Sequence, residues 1–442
     1  MVREHDEDHN HDEAESLRIR GSIPDVPRET YWKRLWRPFW AIPAASVLAA
    51  LILGSLLPVW ERGLPSSTLE FVFEGGPSAA REVLGTIASS TISVTGLIFA
   101  NTLVILQLVN SQFSPRMLNG FLRNRVVQGT LAMFLATFVF SLTVLRYVWN
   151  DFEKLDGFVP RLSVTVAFLL VLGCLGFFLA FIRHITSSMH VSNAISEIGG
   201  EAMKVAERLY PLQIEEAGRA QGPTWSPRPG DPREEIPADS HGSLVWVDYR
   251  KLVSWAEEHE AVITVDRRVG DYLVAGQPLL RVWGGDRELS DRDRKALCAA
   301  VEVRAERELR QDLAFGFRQL ADIADRALSA GVNDPATAVR CIHEIHRVFR
   351  YLVTTVEPSP YIAGDDRRVR VVHQSQHITE MLDEVIREIH HYGAGSAMIP
   401  DQLRSMLDDL AGVSADTYLP ALERGRELLD RGKERENEAS EA

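Results

Sequence analysis

Four stretches of this chain are apolar over the length of a membrane crossing and carry no charge in their middles: 39–60, 83–109, 126–149 and 158–182. A helix needs roughly 20 such residues to cross a hydrocarbon core of about 30 Å, and helices of soluble cores rarely run that long without charge. The sequence therefore predicts four transmembrane helices over 36–185. The first stretch has a long leader, span length and no small-residue cleavage site after it, so it reads as a span and not as a cleavable signal peptide.

Lys and Arg in the short loops orient the spans. Arg28, Lys33, Arg34 and Arg37 precede the first span, Arg116, Arg123 and Arg125 lie between the second and third, and Arg183 follows the fourth. The other two loops are acidic or mixed, with Glu61, Arg62, Glu70, Glu74, Arg81 and Glu82 in one, and Asp151, Glu153, Lys154 and Asp156 in the other. All five segments agree, which predicts both termini in the cytoplasm. Trp36, Trp40, Trp60, Tyr147 and Trp149 fall at span ends, where amphipathic rings favour the interface.

Charge separates the two halves. Residues 1–190 hold 16 basic and 16 acidic side chains, so the net charge of −13 lies wholly in the remainder. An acidic chain of this kind argues against a nucleic-acid partner. Cys174, Cys298 and Cys341 are odd in number and far apart, which fits neither a disulfide framework nor a metal-binding spacing. The 1–35 segment, with His and carboxylates mixed from His5 to Glu13, reads as a disordered acidic tail before a basic juxtamembrane stretch; a loose metal sink is the competing reading.

The second span carries the most chemistry. From 83 to 115 there is no charge, yet Ser, Thr, Asn and Gln recur. At ~1.5 Å per residue this is about 50 Å of helix, longer than the bilayer core, and it should project into the cytoplasm. On a helical wheel Thr86, Ser90, Ser93, Asn101, Gln107 and Ser111 fall within about 60° of one line, and Thr91, Thr95 and Thr102 form a second stripe on the far face. Ser and Thr satisfy themselves on backbone four residues back. Asn101 and Gln107 do not, and require a partner or water. Two readings stand: polar glue between helices, or one wall of a water-filled path. Ser114-Pro115-Arg116 reads as a cap and first turn of an interfacial elbow on the inner leaflet. Gly173 and Gly176 beside Cys174 predict a close helix approach in the fourth span.

Beyond the spans the pattern predicts a juxtamembrane helix (186–219), a Pro-rich linker (220–242), a small β-rich module (243–286), a helical domain (287–430) and a disordered charged tail (431–442). The fold class is thus mainly α: a four-helix transmembrane domain followed by a cytoplasmic α+β part, a small β-sandwich-like module plus a helical domain. Strands are expected at 244–247, Ala261–Val265 and 279–282, with Asp248 capping a helix to about His259. From Ser290, a capping residue, the pattern is helical to the end, with Leu313, Phe317, Leu320, Ile323, Ala324 and Leu328 on one apolar face. In the following turn Gly331 stops one helix, and Asp334 and Pro335 open the next. A functional alternative has Ser329, Asn333, Asp334 and Thr337 facing a ligand or a neighbouring subunit.

Two resemblances follow from these residues. The run Val269-Gly-Asp-Tyr-Leu-Val-Ala-Gly-Gln-Pro-Leu-Leu-Arg-Val282 resembles half of the biotinyl/lipoyl barrel-sandwich motif, which also occurs in membrane adaptor proteins. It lacks the Met-Lys or Asp-Lys modification turn, so the likeness implies a small sandwich-like module and no attached cofactor. Gln107-Leu…Ser111-Gln-Phe-Ser-Pro-Arg-Met-Leu118, together with Asp312-X-Ala-Phe-Gly-X-Arg-Gln-Leu320…Ala327-Leu-Ser-X-Gly-Val-Asn-Asp-Pro-X-Thr-Ala338, resembles the bacterial membrane-protein family called domain of unknown function 2254, over roughly 36–429. That likeness implies a membrane protein and brings no catalytic residues.

No G-x-S-x-G, H-E-x-x-H, Walker-type or kinase signature is present. His343 and His346 are a helix-borne pair in which Glu344, two residues before His346, does not give the Glu-x-x-His arrangement of bundle metal sites, and His390-His391 lie on a later helix. No enzyme activity, catalytic residue, metal or cofactor is expected. Two functions remain: a homo-oligomeric channel that passes ions along the second span under a cytoplasmic gating domain, or a membrane-anchored scaffold or sensor that binds a partner or small ligand through its helical domain.

Overall fold

The computed structural model describes residues 39–62, 73–112, 125–149, 158–188, 191–211, 224–227, 232–285 and 288–441. The His-rich tail and the 113–124 elbow lie outside them, as do parts of the 220–242 linker. Two compact units divide the chain at His190/Val191.

Among the described residues the first unit contains four helices: α1 (Ala41–Glu61), α2 (Pro77–Gln112), α3 (Arg125–Leu145) and α4 (Arg161–Ser188). All four are long and apolar enough to cross a membrane. α3 packs against each of the other three and is the most enclosed, with Val127, Leu131, Phe134, Thr137, Phe140 and Val144 all buried. Leu48, Leu51 and Leu56 of α1 and Phe168, Leu172, Leu175 and Leu179 of α4 are exposed and apolar, as a lipid-facing surface must be.

Small residues let the helices close on α3. A Cβ at Gly54 of α1 would stand 3.0 Å from the Thr143 Cβ, and one at Gly173 of α4 would collide with the end of Met133. Gly176 has open space instead. Cys174 is buried, with Sγ 3.2 Å from Thr137 Oγ1. At one end of the bundle Glu61 is buried and caps α4, its carboxylate accepting from Leu162 N (2.7 Å), Ser163 N (3.3 Å) and Ser163 Oγ (3.2 Å).

The second unit opens with α5 (Val191–Leu209), an amphipathic helix whose Ile195, Ile198, Ala202, Val205 and Ala206 are buried. Its sheets are β1 (Glu234–Pro237), β2 (Gly242–Val247), β3 (Ala261–Val265), β4 (Tyr272–Leu273), β5 (Pro278–Gly284), β6 (Val301–Arg304), β7 (Tyr361–Ala363) and β8 (Val369–Val372). One sheet has the order β1-β5-β3-β8-β7, antiparallel except for the parallel β3–β8 pair, and the other the order β4-β2-β6. β4 lies between Gly270 (φ +101°) and Gly276 (φ +89°), both in backbone conformations that demand glycine.

The helices are α6 (Tyr249–Glu258), α7 (Asp291–Cys298), α8 (Leu313–Leu328), α9 (Pro335–Leu352), α10 (Ile378–Gly393), α11 (Met398–Val413) and α12 (Leu419–Glu441). Asp248 caps α6 by accepting from Lys251 N, and Ser290 forms a full capping box with Asp293 on α7. The expectation of unbroken helix after Ser290 is corrected by β6, β7 and β8: β8 docks beside β3 from more than 100 residues away in sequence, a pairing that local periodicity does not encode. α12 also continues to Glu441, through the segment read as a charged tail; Glu, Arg, Lys and Ala there are good helix formers.

Candidate functional site

α2 presents two faces. Leu84, Ile87, Ala88, Thr91, Thr95, Ile98 and Thr102 recur at helical spacing and are buried in the bundle. Thr91, Thr95 and Thr102 each donate 2.7 Å bonds to the carbonyl four residues back, so this stripe costs nothing in unmet polar groups. The other polar stripe is turned away from the bundle: Thr86, Ser90, Ser93, Asn101 and Gln107 are all exposed. Ser90 and Ser93 Oγ donate to the carbonyls of Thr86 and Ser89, both at 2.7 Å. Among the described residues the side chains of Asn101 and Gln107 have no partner. Ser111 is on the same helix, and its side chain lies outside what is described.

Among the described residues, then, the exposed stripe is not bonded to the other helices of its unit. Gly85 and Gly96 have nothing within 4 Å of an added Cβ, so this side of α2 is also open to close approach.

The α8–α9 turn gathers the other sequence candidates. Asp334 caps α9, accepting from Thr337 N (3.2 Å) and Thr337 Oγ1 (2.7 Å), with Pro335 in the first turn. Ser329 Oγ donates to the Arg326 carbonyl at 2.7 Å. The helix stop expected at Gly331 comes earlier, at Leu328 with Ser329 as the extended C-cap, and the left-handed residue of the turn is Asn333 (φ +48°), not Gly331. Asn tolerates this region because its short amide bonds locally. Three of the four polar candidates are thus engaged in capping, and Asn333 is exposed.

Two arrangements escaped the sequence reading. Asp312, 1% exposed, caps α8 through Phe315 N (3.0 Å) and also accepts from Arg307 Nε (2.8 Å), Arg307 Nη2 (3.0 Å) and Gln376 Nε2 (2.7 Å). Between α8 and α10, Arg318 bonds Glu384 (3.1 Å) and Glu388 (2.8 Å). Beside them, burial and then the neighbouring Glu388 and Asp322 carboxylates push Asp325 up to about 8, and one of its oxygens is buried without a hydrogen-bond partner. His346 Nε2 and Arg350 Nη1 both reach Asp409 at 2.7 Å. Among the described residues no group of three or more His, Cys, Asp or Glu side chains is placed to hold a metal.

The model of a family described as predicted membrane proteins, DUF2254, matches residues 36–409. This chain belongs to that family. Its motif residues acquire structural roles here: Asp312 and Asp334 as helix caps, Gly316 as the gap into which Ala202 of α5 fits, with an added Cβ 3.1 Å from that of Ala202, and Arg318 as the link to α10. Similar proteins include the uncharacterised proteins MT1328 of Mycobacterium tuberculosis (strain CDC 1551 / Oshkosh) and Mb1321c of Mycobacterium bovis, each 31% identical over 328 residues, 72% of this chain and 61% of theirs. The chain thus spans about three-fifths of the length of the curated relatives it matches. No solved structure matches.

Proposed function

We propose that this membrane protein assembles as a homo-oligomer in the bacterial inner membrane, both termini in the cytoplasm, and that α2 lines an ion path between protomers. The 191–442 unit then gates the path, and no chemical step is involved. One observation carries the reading: Thr86, Ser90, Ser93, Asn101 and Gln107 face away from their own bundle on a helix apolar enough to cross a membrane. An amide held in hydrocarbon is costly without water or a partner. The packing of α1, α2 and α4 against α3 supports placing the path between copies, since α3 fills the space between the other helices. Closed cyclic assembly would bring one α2 per copy to a common axis.

Asn101→Leu tests it. In a water-lined path the leucines create an apolar ring that dewets, so ion flux from reconstituted liposomes falls while the oligomer in detergent survives. Were Asn101 interprotomer glue, the oligomer itself would weaken, by about 0.6 kcal/mol per lost bond. Absence of flux from the parent protein under every ion, voltage and tension tried would overturn the channel and leave the membrane-anchored scaffold or sensor.

A further inference from the structure

α2 is charge-free from Val83 to Gln112, and its only two charged residues, Arg81 and Glu82, sit together near the Pro77 end. The structure sends them in opposite directions. Arg81 turns onto its own bundle, where Nη2 donates to the Val148 carbonyl at 3.0 Å, just past the end of α3. Glu82 is exposed, and among the described residues its carboxylate has no hydrogen bond or ion pair.

At 100° per residue Glu82 shares an arc of about 60° with Ser89, Ser93, Gly96, Ala100 and Gln107. Every one of these is exposed. The arc lies opposite the buried line through Leu84, Thr91, Thr95 and Thr102. Its side chains are hydroxyl, amide, methyl or hydrogen, apart from the single carboxylate at one end. Along this arc the outward side of α2 carries a strip of small and polar side chains with one negative charge and no positive one, flanked by exposed Leu97, Leu103 and Val104.

We infer that Glu82 makes the path selective for cations over anions. The inference rests on the reading of α2 as a pore wall. A closed ring repeats the carboxylate once per protomer at one mouth. Such a ring raises the local concentration of cations and excludes anions, and it acts most strongly where the walls are of low dielectric and the path is narrow. Arg81 offsets it only in part, because its guanidinium reaches the Val148 carbonyl on the bundle side of the helix, off the arc that carries Glu82. The species favoured are small inorganic cations, since the strip offers uncharged oxygens below the ring and no aromatic cage for an organic ammonium.

The test uses the full-length chain in planar bilayers under a KCl gradient, with the reversal potential giving the potassium-over-chloride permeability ratio. The parent ratio should exceed one. Glu82→Gln should lower it about fivefold, the equivalent of ~1 kcal/mol, a unit charge acting at about 4 Å in bulk water, while current persists. Glu82→Lys should carry the ratio below one, and Glu82→Asp should restore the preference that Gln removes. Since Glu82 is exposed and, among the described residues, makes no hydrogen bond or ion pair, the variants should elute from size exclusion as the parent does. A conducting parent that prefers chloride, or a ratio unmoved by Gln and Lys, overturns the role of Glu82 and leaves the pore standing. A parent that conducts nothing overturns the pore reading itself, and the selectivity with it.

Discussion

Two aspartates begin consecutive helices of the second unit in the same capping role, and the structure predicts unequal consequences for losing them. Asp334 is exposed and accepts only from Thr337, so Asp334→Ala removes one cap worth about 1 kcal/mol. Asp312 is buried, and the same carboxylate holds Phe315 N, the Arg307 guanidinium and the Gln376 amide. Asp312→Ala loses the cap and strands two side-chain donors in a protein interior. Breaking a buried pair from one side typically costs 3–5 kcal/mol. Arg307 is 32% exposed and recovers some hydration, which puts the expected loss near the bottom of that range, about 3 kcal/mol. For a unit of this size each kcal/mol moves the melting temperature by about 2–4 °C, so the two variants should differ by roughly 4–8 °C. The assay is thermal unfolding of the full-length chain in one detergent. Gly270→Ala supplies an independent probe of the same site, since its Cβ would stand 2.5 Å from Asp312 Oδ2 at a φ of +101°. Equal shifts for Asp312→Ala and Asp334→Ala would refute the argument that burial and shared partners set the cost.

Two further predictions concern pH, and their signs oppose. Burial, then Glu388 and Asp322, raise Asp325 to about 8, so its neutral form is the one the fold accommodates. The stability it contributes is complete below the ordinary carboxylate range and is lost as pH rises through about 8; Asp325→Asn should flatten the fall in melting temperature between pH 6 and 9. His373 is buried against Tyr249, and burial pulls it down to about 4. The unfolded chain then takes up a proton that the fold refuses, so stability falls as pH drops from about 6.5 through 4, by at most ~3 kcal/mol, and His373→Gln should remove that slope.

The parts of this architecture that were legible in sequence are those written in short windows. Long charge-free runs gave the four spans, and Asp248, Ser290, Asp334 and Pro335 marked helix starts that the structure keeps. β7 and β8 were not legible. β8 is only Val369–Val372, it carries the buried Arg370, and its neighbour β3 lies over 100 residues earlier. The Asp325–Glu388 contact and the carboxylate cap of Glu61 on α4 are likewise products of distant segments meeting. For α2 the sequence showed two polar stripes, but only packing tells them apart: Thr91, Thr95 and Thr102 go into the bundle, and Asn101 and Gln107 do not.

Whether water meets that outward stripe is the question most directly open to measurement. Single cysteines at Ser93, Asn101 and Phe99, in a chain with Cys174, Cys298 and Cys341 replaced, can be challenged in intact membranes with a charged, membrane-impermeant thiol reagent. All three positions are exposed on the protomer, but Phe99 lies on the apolar side of α2. A water-lined path predicts rapid modification at Ser93→Cys and Asn101→Cys and none at Phe99→Cys, because thiolate forms and reacts only where water reaches it. If Ser93→Cys and Asn101→Cys are as inert as Phe99→Cys, the stripe is packed against protein or lipid, and α2 does not line a path.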